Sequence, residues 1–258
     1  MTDLLSELQG RVFIITLNRV NKHNAFDDSL LAELQQRLNT AISNQQVRVI
    51  LLKANGRHFS AGADLNWMQR MVEYSEADNL KDAMVLARVM HTLNQSPKPT
   101  IAMVQGAAFG GGAGLAAACD ICIASTSARF CFSEVKLGLI PAVISPYVVK
   151  AIGERASKHL FMTAETFDAE KARELKLVQH CVNEEELWPF TLNYAEQLAA
   201  LAPQAVRDCK PLVELVAGQP VEEELILQTA KLIAKKRVSA EGQQGLHAFL
   251  NKETPNWD

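Results

Sequence analysis

The sequence has little cysteine, no long apolar run and no excess of positive charge. Its 258 residues include five cysteines, an odd number that is typical of reduced thiols rather than of a disulfide framework. The 26 Lys and Arg residues stand against 29 Asp and Glu residues, so the sequence indicates neither a nucleic-acid footprint nor a polybasic patch. No apolar segment reaches the length of a membrane span, and the first residues lack the pattern of a signal peptide. We therefore expect a cytoplasmic protein that binds neither nucleic acid nor a membrane.

Several motifs of cofactor and metal sites are also missing. Phe109 and Ala113 interrupt the dinucleotide-binding pattern G-x-G-x-x-G, and no Lys-Ser or Lys-Thr follows the glycines as a phosphate loop requires. The six histidines form no H-x-x-x-H pair, and no G-x-S-x-G marks a hydrolase nucleophile. Cys119 and Cys122 form a C-x-x-C without a second pair at metal spacing, which favours buried thiols. No metal site is predicted, and His58 is expected at the surface.

The chain does contain the pattern of an α/β domain. With 48% hydrophobic residues it can bury a large core, with or without a helical appendix. A helix is predicted over Asp27–Ile42, and the chain beyond Pro141 is predicted to be mostly helical. Leu65–Met90 is expected to be helical in parts and mobile in others. The predicted strands are Arg11–Leu17, Val47–Ala54, Thr100–Val104, Ile121–Ala124 and Arg129–Glu134. This order indicates a parallel sheet, whose ligands bind beyond the carboxyl ends of the strands.

Two loops rich in small residues follow two of these strands. Asn55–Asp64 reads NGRHFSAGAD, and Pro99–Asp120 contains the consecutive glycines Gly110, Gly111 and Gly112 before an Ala-rich helical segment. Glycine permits positive φ and close backbone approach. The N–H groups that begin a helix lack intrahelical partners and suit an anion or a developing oxyanion. The same small residues would also serve close packing of a helix on a strand.

Taken together, the motifs resemble those of the crotonase, or enoyl-CoA hydratase/isomerase, superfamily. The likeness covers nearly the whole chain. Its motifs are Asn18-Arg19, Asn24-Ala25-Phe26, FSAGAD, KPTIAMVQGAAFGGG, Ala118-Cys119-Asp120, FCFSEVKLGLIP, Glu241-Gly242 and Phe249-Leu250-Asn251-Lys252. The resemblance implies a crotonase-like α/β fold, with a twisted parallel-sheet core over residues 1–200 and a helical region over 201–258. In relatives that region forms trimers and dimers of trimers.

The resemblance also implies a site for an acyl-CoA thioester. By motif position, the backbone N–H groups of Ala63 and Gly111 would bind the thioester oxygen and stabilise an enolate. Glu134 stands where the family places its acid/base, and a carboxylate in an apolar cleft has a raised pKa that suits proton transfer. Coenzyme A would enter as part of the substrate, with no separate cofactor.

A wider set of residues is expected to contact the substrate. Lys22 and the backbone of Ala61 and Ala63 would bind CoA, and Lys252 would reach CoA on a neighbouring subunit. Asp64, like Asp120, is expected to cap or orient a loop rather than to react. Met68 is expected to line the acyl pocket or to pack, as are Trp67 and Met71. The predicted substrate-binding residues are Lys22, Ala61, Asp64, Met68, Gly110, Gly114, Ser133 and Lys252.

One position departs from the best-known hydratases, which carry a second glutamate where this chain has Gly114. One carboxylate suits an isomerase, which moves a proton between the α and γ carbons, whereas hydration also requires a held water. The block Ile140–Arg155, however, resembles bacterial 3-methylglutaconyl-CoA hydratases of leucine degradation, which tolerate glycine at this position. We therefore predict hydration of a branched, possibly carboxylated enoyl-CoA, with Gly114 making room for the substrate. An isomerase and a non-catalytic acyl-CoA-binding paralogue remain the alternatives.

The sequence does not identify the residue that holds the water. Ser145, Tyr147 and Glu154 are the nearby candidates. Lys150 or Arg70 could face a distal carboxylate of the substrate.

Overall fold

The computed structural model describes residues 2–257, which form two compact units. The first unit ends at Glu196 and the second begins at Gln197, a division that falls within one helix. The domains predicted from the sequence, 1–200 and 201–258, meet close to this division. Their outermost residues, Met1 and Asp258, lie outside the described part of the chain.

Two sheets form the core of the first unit. A six-stranded sheet has the order β1-β2-β3-β4-β6-β9, and a three-stranded sheet has the order β5-β7-β8. The strands are β1 (Leu4–Gln9), β2 (Val12–Leu17), β3 (Val49–Ala54), β4 (Thr100–Val104), β5 (Ala107–Phe109), β6 (Ile121–Ser125), β7 (Arg129–Cys131), β8 (Phe167–Asp168) and β9 (His180–Val182). From β2 to β9 the pairing in the larger sheet is parallel. The first pair, β1 with β2, is antiparallel.

The central strands are buried because their sequences are continuously apolar. Every residue of β2 and β4 is buried, as is all of β3 except Lys53. Such runs are typical of parallel strands covered on both faces. In β1, by contrast, only Leu4 is buried, which agrees with its place at the edge of the sheet.

The first unit also contains helices, some of which pack against strands of these sheets and others against neighbouring helices. They are α1 (Asp28–Ser43), α2 (Leu65–Val72), α3 (Glu76–Asn94), α4 (Gly111–Ala118), α5 (Ser145–Thr163), α6 (Ala169–Glu174) and α7 (Glu184–Ala199), which crosses into the second unit. The helix predicted over Asp27–Ile42 is confirmed as α1, whose residues Leu30, Leu31, Leu34 and Leu38 are buried. In α5 the helix is interrupted at Gly153, whose φ of 78° is not helical.

The second unit is helical over the described residues. Its elements besides the end of α7 are α8 (Pro203–Val216), α9 (Glu223–Arg237) and α10 (Ala240–Asn251). The carboxylate of Glu241 accepts hydrogen bonds from the N–H groups of Gln204 (2.9 Å) and Ala205 (2.8 Å). The first turn of α8 is thus capped by the first turn of α10. Within residues 2–257, no helix is both long and apolar enough to span a membrane.

The structure differs from the sequence predictions in several elements, including the short strands β5, β8 and β9, which were not predicted. Strand β1 was not predicted, because LLSELQ shows neither a continuous apolar run nor a regular alternation of apolar and polar residues. Leu65–Met90 is occupied by two regular helices, α2 and most of α3, with short polar residues at both N-caps. The predicted strand Arg129–Glu134 ends at Cys131, and a 3₁₀ helix, Glu134–Leu137, begins at the candidate acid/base.

Candidate active site

Three loops leave the same edge of the larger sheet, because β2, β3 and β4 are neighbouring parallel strands. The loop after β2 carries Phe26, and the loop after β3 carries Ala63. The chain after β4 leads through β5 to Gly111. The sheet therefore brings the two glycine- and alanine-rich segments together, as predicted from the sequence.

Backbone hydrogen bonds join the second and third of these loops. The Ser60 N–H donates to the carbonyl of Ala107 (3.0 Å), and the Phe109 N–H donates to the carbonyl of Ser60 (3.0 Å). These bonds are those of a short parallel pair. The register between the two segments is therefore fixed just before each reaches its candidate oxyanion donor.

The first donor lies at the start of α4. Gly110 has φ 50° and ψ −120°, a conformation that favours glycine. The backbone bond from the Gly114 N–H to the Gly110 carbonyl (3.1 Å) is the first of the helix, so the N–H of Gly111 has no intrahelical acceptor. It lies at the positive end of the helix dipole, where negative charge is stabilised.

The second donor, the N–H of Ala63, is oriented by its neighbours. Phe26 donates its N–H to the carbonyl of Gly62 (2.9 Å) and accepts at its own carbonyl from the Asp64 N–H (2.9 Å). In this parallel bridge the carbonyl of Gly62 points toward Phe26. The N–H of Ala63 belongs to the same trans peptide group and points the opposite way, so it is directed away from Phe26.

Phe26 also contacts the first donor. Its ring is buried, and a Cβ on Gly111 would lie 2.4 Å from Phe26 Cζ. The same residue thus bonds to the backbone beside Ala63 and packs against Gly111. This contact gives a steric reason for glycine at position 111.

Glu134 lies beside the N-terminus of α4. A Cβ on Gly110 would be 3.3 Å from Glu134 Oε1 and 3.7 Å from Ser133 Oγ. Glu134 Oε2 is buried and has no hydrogen-bond partner among the described residues. The structure therefore unites Ser133 and Glu134 with the glycine segment and leaves one carboxylate oxygen for a ligand.

Burial raises the pKa of the Glu134 carboxyl above its ordinary value. A hydrogen bond from its own backbone N–H opposes this effect. A carboxyl with a raised pKa is better matched to proton transfer near neutral pH than an ordinary carboxyl is. An enolate can be stabilised by the two N–H donors and protonated by a carboxyl group with a raised pKa.

The family model described as enoyl-CoA hydratase/isomerase matches residues 7–258. The chain belongs to this family. A 2,3-dehydroadipyl-CoA hydratase from Escherichia coli is 30% identical to it, over 100% of this chain and 99% of that protein.

Solved structures of the enoyl-CoA hydratase/isomerase family superpose closely on this chain. A Legionella pneumophila protein assigned to the enoyl CoA hydratase/isomerases (crotonases) is 65% identical, with TM-score 0.98 over 100% of both chains. An enoyl-CoA hydratase from Shewanella pealeana is 46% identical, with TM-score 0.95 over 99% of this chain and 96% of the other. The predicted crotonase-like α/β fold is confirmed.

Asp64 orients its loop, as predicted for this carboxylate in an enoyl-CoA hydratase/isomerase. Its Oδ1 accepts from the N–H groups of Asn66 (2.9 Å) and Trp67 (3.3 Å) and caps α2. Its Oδ2 lies 2.7 Å from Lys22 Nζ and 3.9 Å from Arg19 NH2. Burial acts to raise the pKa of Asp64, but the hydrogen bonds from Lys22 and the backbone outweigh it, so the pKa lies below its ordinary value.

Lys22 is therefore already paired, and its predicted contact with CoA would be made by a lysine that also serves Asp64. The Ala61 N–H donates to the His23 carbonyl (3.0 Å), so a contact from Ala61 to CoA would use its carbonyl. Met68 is half-buried on α2. Lys252 ends α10 in the left-handed region, with φ 59°, and its predicted contact with CoA on a neighbouring subunit stays a prediction.

The surroundings of Gly114 differ from the prediction. A Cβ on Gly114 would lie 2.2 Å from Ile144 Cγ2 and 3.0 Å from Met90 Cε. Both side chains are buried. The expectation that Gly114 makes room for the substrate is therefore wrong in this structure, since Ile144 fills the space above it.

The three candidates for holding water lie in different environments. Ser145 Oγ donates to the Ala142 carbonyl (2.8 Å). Glu154 is exposed and lies 3.9 Å from Lys158 Nζ. Tyr147 packs against the core, and burial raises the pKa of its phenol. Of the three, Tyr147 is thus the one that keeps a neutral hydroxyl in apolar surroundings.

The two candidates for a distal carboxylate lie on different helices. Arg70, on α2, pairs with Asp28, with 2.6 Å between NH2 and Oδ1. Lys150, on α5, is exposed. Neither assignment is tested by the geometry, and both stay predictions.

Asp120, Cys122 and His58 lie outside the group of residues around Glu134. Asp120 Oδ2 accepts from the N–H of Thr100 (2.8 Å) and from its hydroxyl (2.9 Å), which confirms its orienting role. Cys122 is a buried thiol, as predicted, and burial raises its pKa to about 12. His58 is not a free surface side chain: it is half-buried, and its Nδ1 accepts from the Ala107 N–H (3.0 Å).

Sequence reasoning also gave no role to Phe26 or Ile144. Phe26 stands in a family motif, yet its packing against Gly111 joins residues 85 positions apart. No local pattern signals such a contact. For Ile144, the glycine at position 114 was the available signal, because an unusual glycine in a helix often marks the close approach of another group.

Proposed function

We propose that this chain adds water across the α,β double bond of a branched, carboxylated enoyl-CoA such as 3-methylglutaconyl-CoA. The observation that carries the proposal is the carboxyl group of Glu134, which has one buried, unpartnered oxygen and lies beside the N-terminus of α4. The proposal requires coenzyme A as part of the substrate and no separate cofactor.

In the proposed reaction, the thioester oxygen accepts hydrogen bonds from the N–H groups of Ala63 and Gly111. As water attacks the β carbon, electrons move through the conjugated system to this oxygen, and the two donors stabilise the resulting enolate. Both donors are held by backbone contacts to their neighbours, so little reorganisation accompanies the reaction.

A single carboxylate can carry the proton through both steps. Glu134 accepts a proton from water as the oxygen bonds to the β carbon, and then donates that proton to the α carbon of the enolate. The products are a 3-hydroxyacyl-CoA and the regenerated carboxylate. The raised pKa of Glu134 favours its protonated form between the two steps, because the pKa then lies closer to neutral pH.

The proposed acyl group is carboxylated for two reasons. The sequence block Ile140–Arg155 resembles 3-methylglutaconyl-CoA hydratases, and the E. coli relative is named for 2,3-dehydroadipyl-CoA, whose acyl group is also dicarboxylic. Lys150 or Arg70 is the cation proposed to face the distal carboxylate. This substrate would place the enzyme in leucine degradation.

The specific observation that favours an isomerase is the apolar surface over Gly114. Ile144 and Met90 lie where a second carboxylate would extend. An isomerase needs one group that removes a proton from the α carbon and returns it to the γ carbon, and Glu134 alone can do both. The isomerase is therefore the second candidate function.

Turnover of three substrates distinguishes these functions. With 3-methylglutaconyl-CoA and crotonyl-CoA, hydration appears as loss of the conjugated thioester absorbance, and with a 3-enoyl-CoA, isomerisation appears as its gain. We expect loss with both conjugated substrates and a lower KM for the carboxylated one. Gain with the 3-enoyl substrate and no loss with the others would overturn the hydratase in favour of the isomerase, and equal KM values would overturn the carboxylate preference.

Glu134→Gln tests the role of the carboxylate and separates an enzyme from a binding paralogue. We expect kcat to fall by about 10² to 10⁴-fold with ligand affinity almost unchanged, since the amide keeps the shape of the side chain. The matched control is Glu174→Gln, which makes the same change at an exposed carboxylate paired with Lys171. Wild-type kcat in Glu134→Gln would contradict the proposal.

A further inference from the structure

His58 takes the place of a backbone acceptor between the two donor segments. Given the bridge between Ser60 and Ala108, regular parallel pairing would direct the Ala107 N–H to the His58 carbonyl. That carbonyl instead accepts from the side-chain amide of Asn24 (2.8 Å). The Ala107 N–H donates to His58 Nδ1 (3.0 Å), so the imidazole completes the pairing.

The neighbouring backbone admits the ring only because residue 106 is glycine. Gly106 has φ 54°, and a Cβ there would lie 2.0 Å from the Arg57 carbonyl oxygen and 2.8 Å from His58 Nδ1. Any side chain would separate the imidazole from Ala107. Both segments therefore contribute to the contact: one supplies the imidazole of His58, and the other supplies Gly106 and the N–H of Ala107.

The contact requires one protonation state. Nδ1 must carry a lone pair, so the ring proton of the neutral imidazole is on Nε2. In the imidazolium both nitrogens carry protons, and Nδ1–H would then oppose the N–H of Ala107. Acidification should therefore open this pairing.

The charged and titratable groups that face His58 oppose its protonation. The ring of His23 lies edge-on to it, with 5.1 Å between ring centroids, and Arg57 is its neighbour in the chain. Burial first, and then the charges of His23 and Arg57, lower the pKa of His58 below its ordinary value. The imidazole is thus neutral at neutral pH and accepts the hydrogen bond there.

We propose that His58 is a positioning residue for the oxyanion donors: through Ala107 it fixes the register between the segment that ends in Ala63 and the segment that ends in Gly111, and it does so only as the neutral imidazole. This role rests on the proposed function for its effect on turnover. The hydrogen bond itself does not depend on the substrate.

Two substitutions separate accepting a hydrogen bond from titrating. In His58→Asn the side-chain oxygen stands at the position of Nδ1 and accepts at every pH. In His58→Leu there is no acceptor. We expect His58→Asn to keep kcat near wild type, and His58→Leu to lose up to about 100-fold in kcat with little change in KM, because misplaced donors act in the transition state.

The acid side of the pH profile gives a second readout. In the wild type, protonation of both Glu134 and His58 removes activity, so kcat/KM falls more steeply with acid than in His58→Asn, where only Glu134 titrates. His159→Asn is the matched control, because it removes an exposed imidazole that lies 3.4 Å from Glu165, and its profile should remain that of the wild type. Wild-type kcat and an unchanged acid limb in His58→Leu would overturn the proposal.

Nitrogen NMR of histidine-labelled wild type tests the contact without substrate or substitution. We expect the proton of neutral His58 on Nε2, and a shift of the Ala107, Ala63 and Gly111 amide signals as His58 titrates. The proposal would be overturned by a proton on Nδ1 at neutral pH, or by Ala107, Ala63 and Gly111 amide signals that do not shift as His58 titrates. Either result is decisive even if His58→Leu does not fold. If the wild type turns over none of the three thioesters, the proposed function fails while this measurement still decides the role of His58.

Discussion

The ring of Phe26 leaves no space for a side chain at position 111. A Cβ at this position would lie 2.4 Å from Phe26 Cζ and 3.2 Å from Cε2, and the ring is buried. We expect Gly111→Ala to keep its N–H but displace it, and to lower kcat by about 10² to 10³-fold, the usual effect of losing one oxyanion donor. Steady-state kinetics with the preferred thioester measures this effect.

Phe26→Leu provides the control for Gly111→Ala. A shorter side chain at position 26 makes space for the new methyl group, so the double variant should recover part of the lost kcat. Gly111→Ala with kcat within about threefold of wild type would show that the ring moves aside and that Phe26 does not fix the donor.

The sequence predicted which residues of the site lie together when a motif carried them. The family motifs assigned Glu134 and the glycine segment to one site, and in the structure Glu134 lies beside Gly110. Contacts of His58 and Ile144 could not be predicted, because each joins segments distant in the chain. The sequence shows a histidine and a glycine, but not which atoms reach them.

Helix α2 depends on Asp64 at its first turn. Asp64→Asn keeps a side-chain acceptor for the cap and removes the charge that pairs with Lys22 and Arg19, whereas Asp64→Ala removes both. We expect Asp64→Ala to lower the free energy of unfolding by about 1 to 2 kcal/mol from the cap alone. The loss in Asp64→Asn should be smaller, and urea unfolding near neutral pH measures both.

The pH dependence of Asp64→Asn follows from the lowered pKa of the native carboxyl. Such a group contributes stability above its unfolded pKa, and this contribution disappears as the pH falls through the folded pKa. The difference in unfolding free energy between wild type and Asp64→Asn should therefore shrink in acid. A difference that is constant with pH would contradict the ion pair as its source.

Elements with strong periodicity or continuous apolar runs were predictable, as α1 and β4 show. The short strands were harder. Strand β5 has the sequence AAF, and its three residues are too few to show the alternation of a strand. Helix α4 starts at Gly111 rather than among the alanines that follow, since tertiary contacts override the low helix propensity of glycine.

The second unit exposes many large apolar side chains to solvent, and large exposed apolar patches are typical of interaction surfaces. The most exposed are Val221 (81%), Phe249 (81%), Val238 (77%) and Leu250 (74%). Such a surface favours burial against another chain, and the trimer or dimer of trimers stays a prediction. Light scattering after size exclusion should give three or six times the mass of the chain, and a mass that stays at one chain across concentrations would contradict it.

The packing of Ile144 on Gly114 also limits how this protein can evolve. A descendant could gain a carboxylate at position 114 only after Ile144 had been replaced by a smaller residue, since the two side chains compete for one space. Truncating a buried isoleucine to alanine costs about 2 to 5 kcal/mol, a large share of the roughly 5 to 15 kcal/mol that holds a protein folded. A lineage that gains a second carboxylate must therefore pass through a less stable intermediate variant. For this reason the single-carboxylate arrangement can persist without selection on the reaction itself.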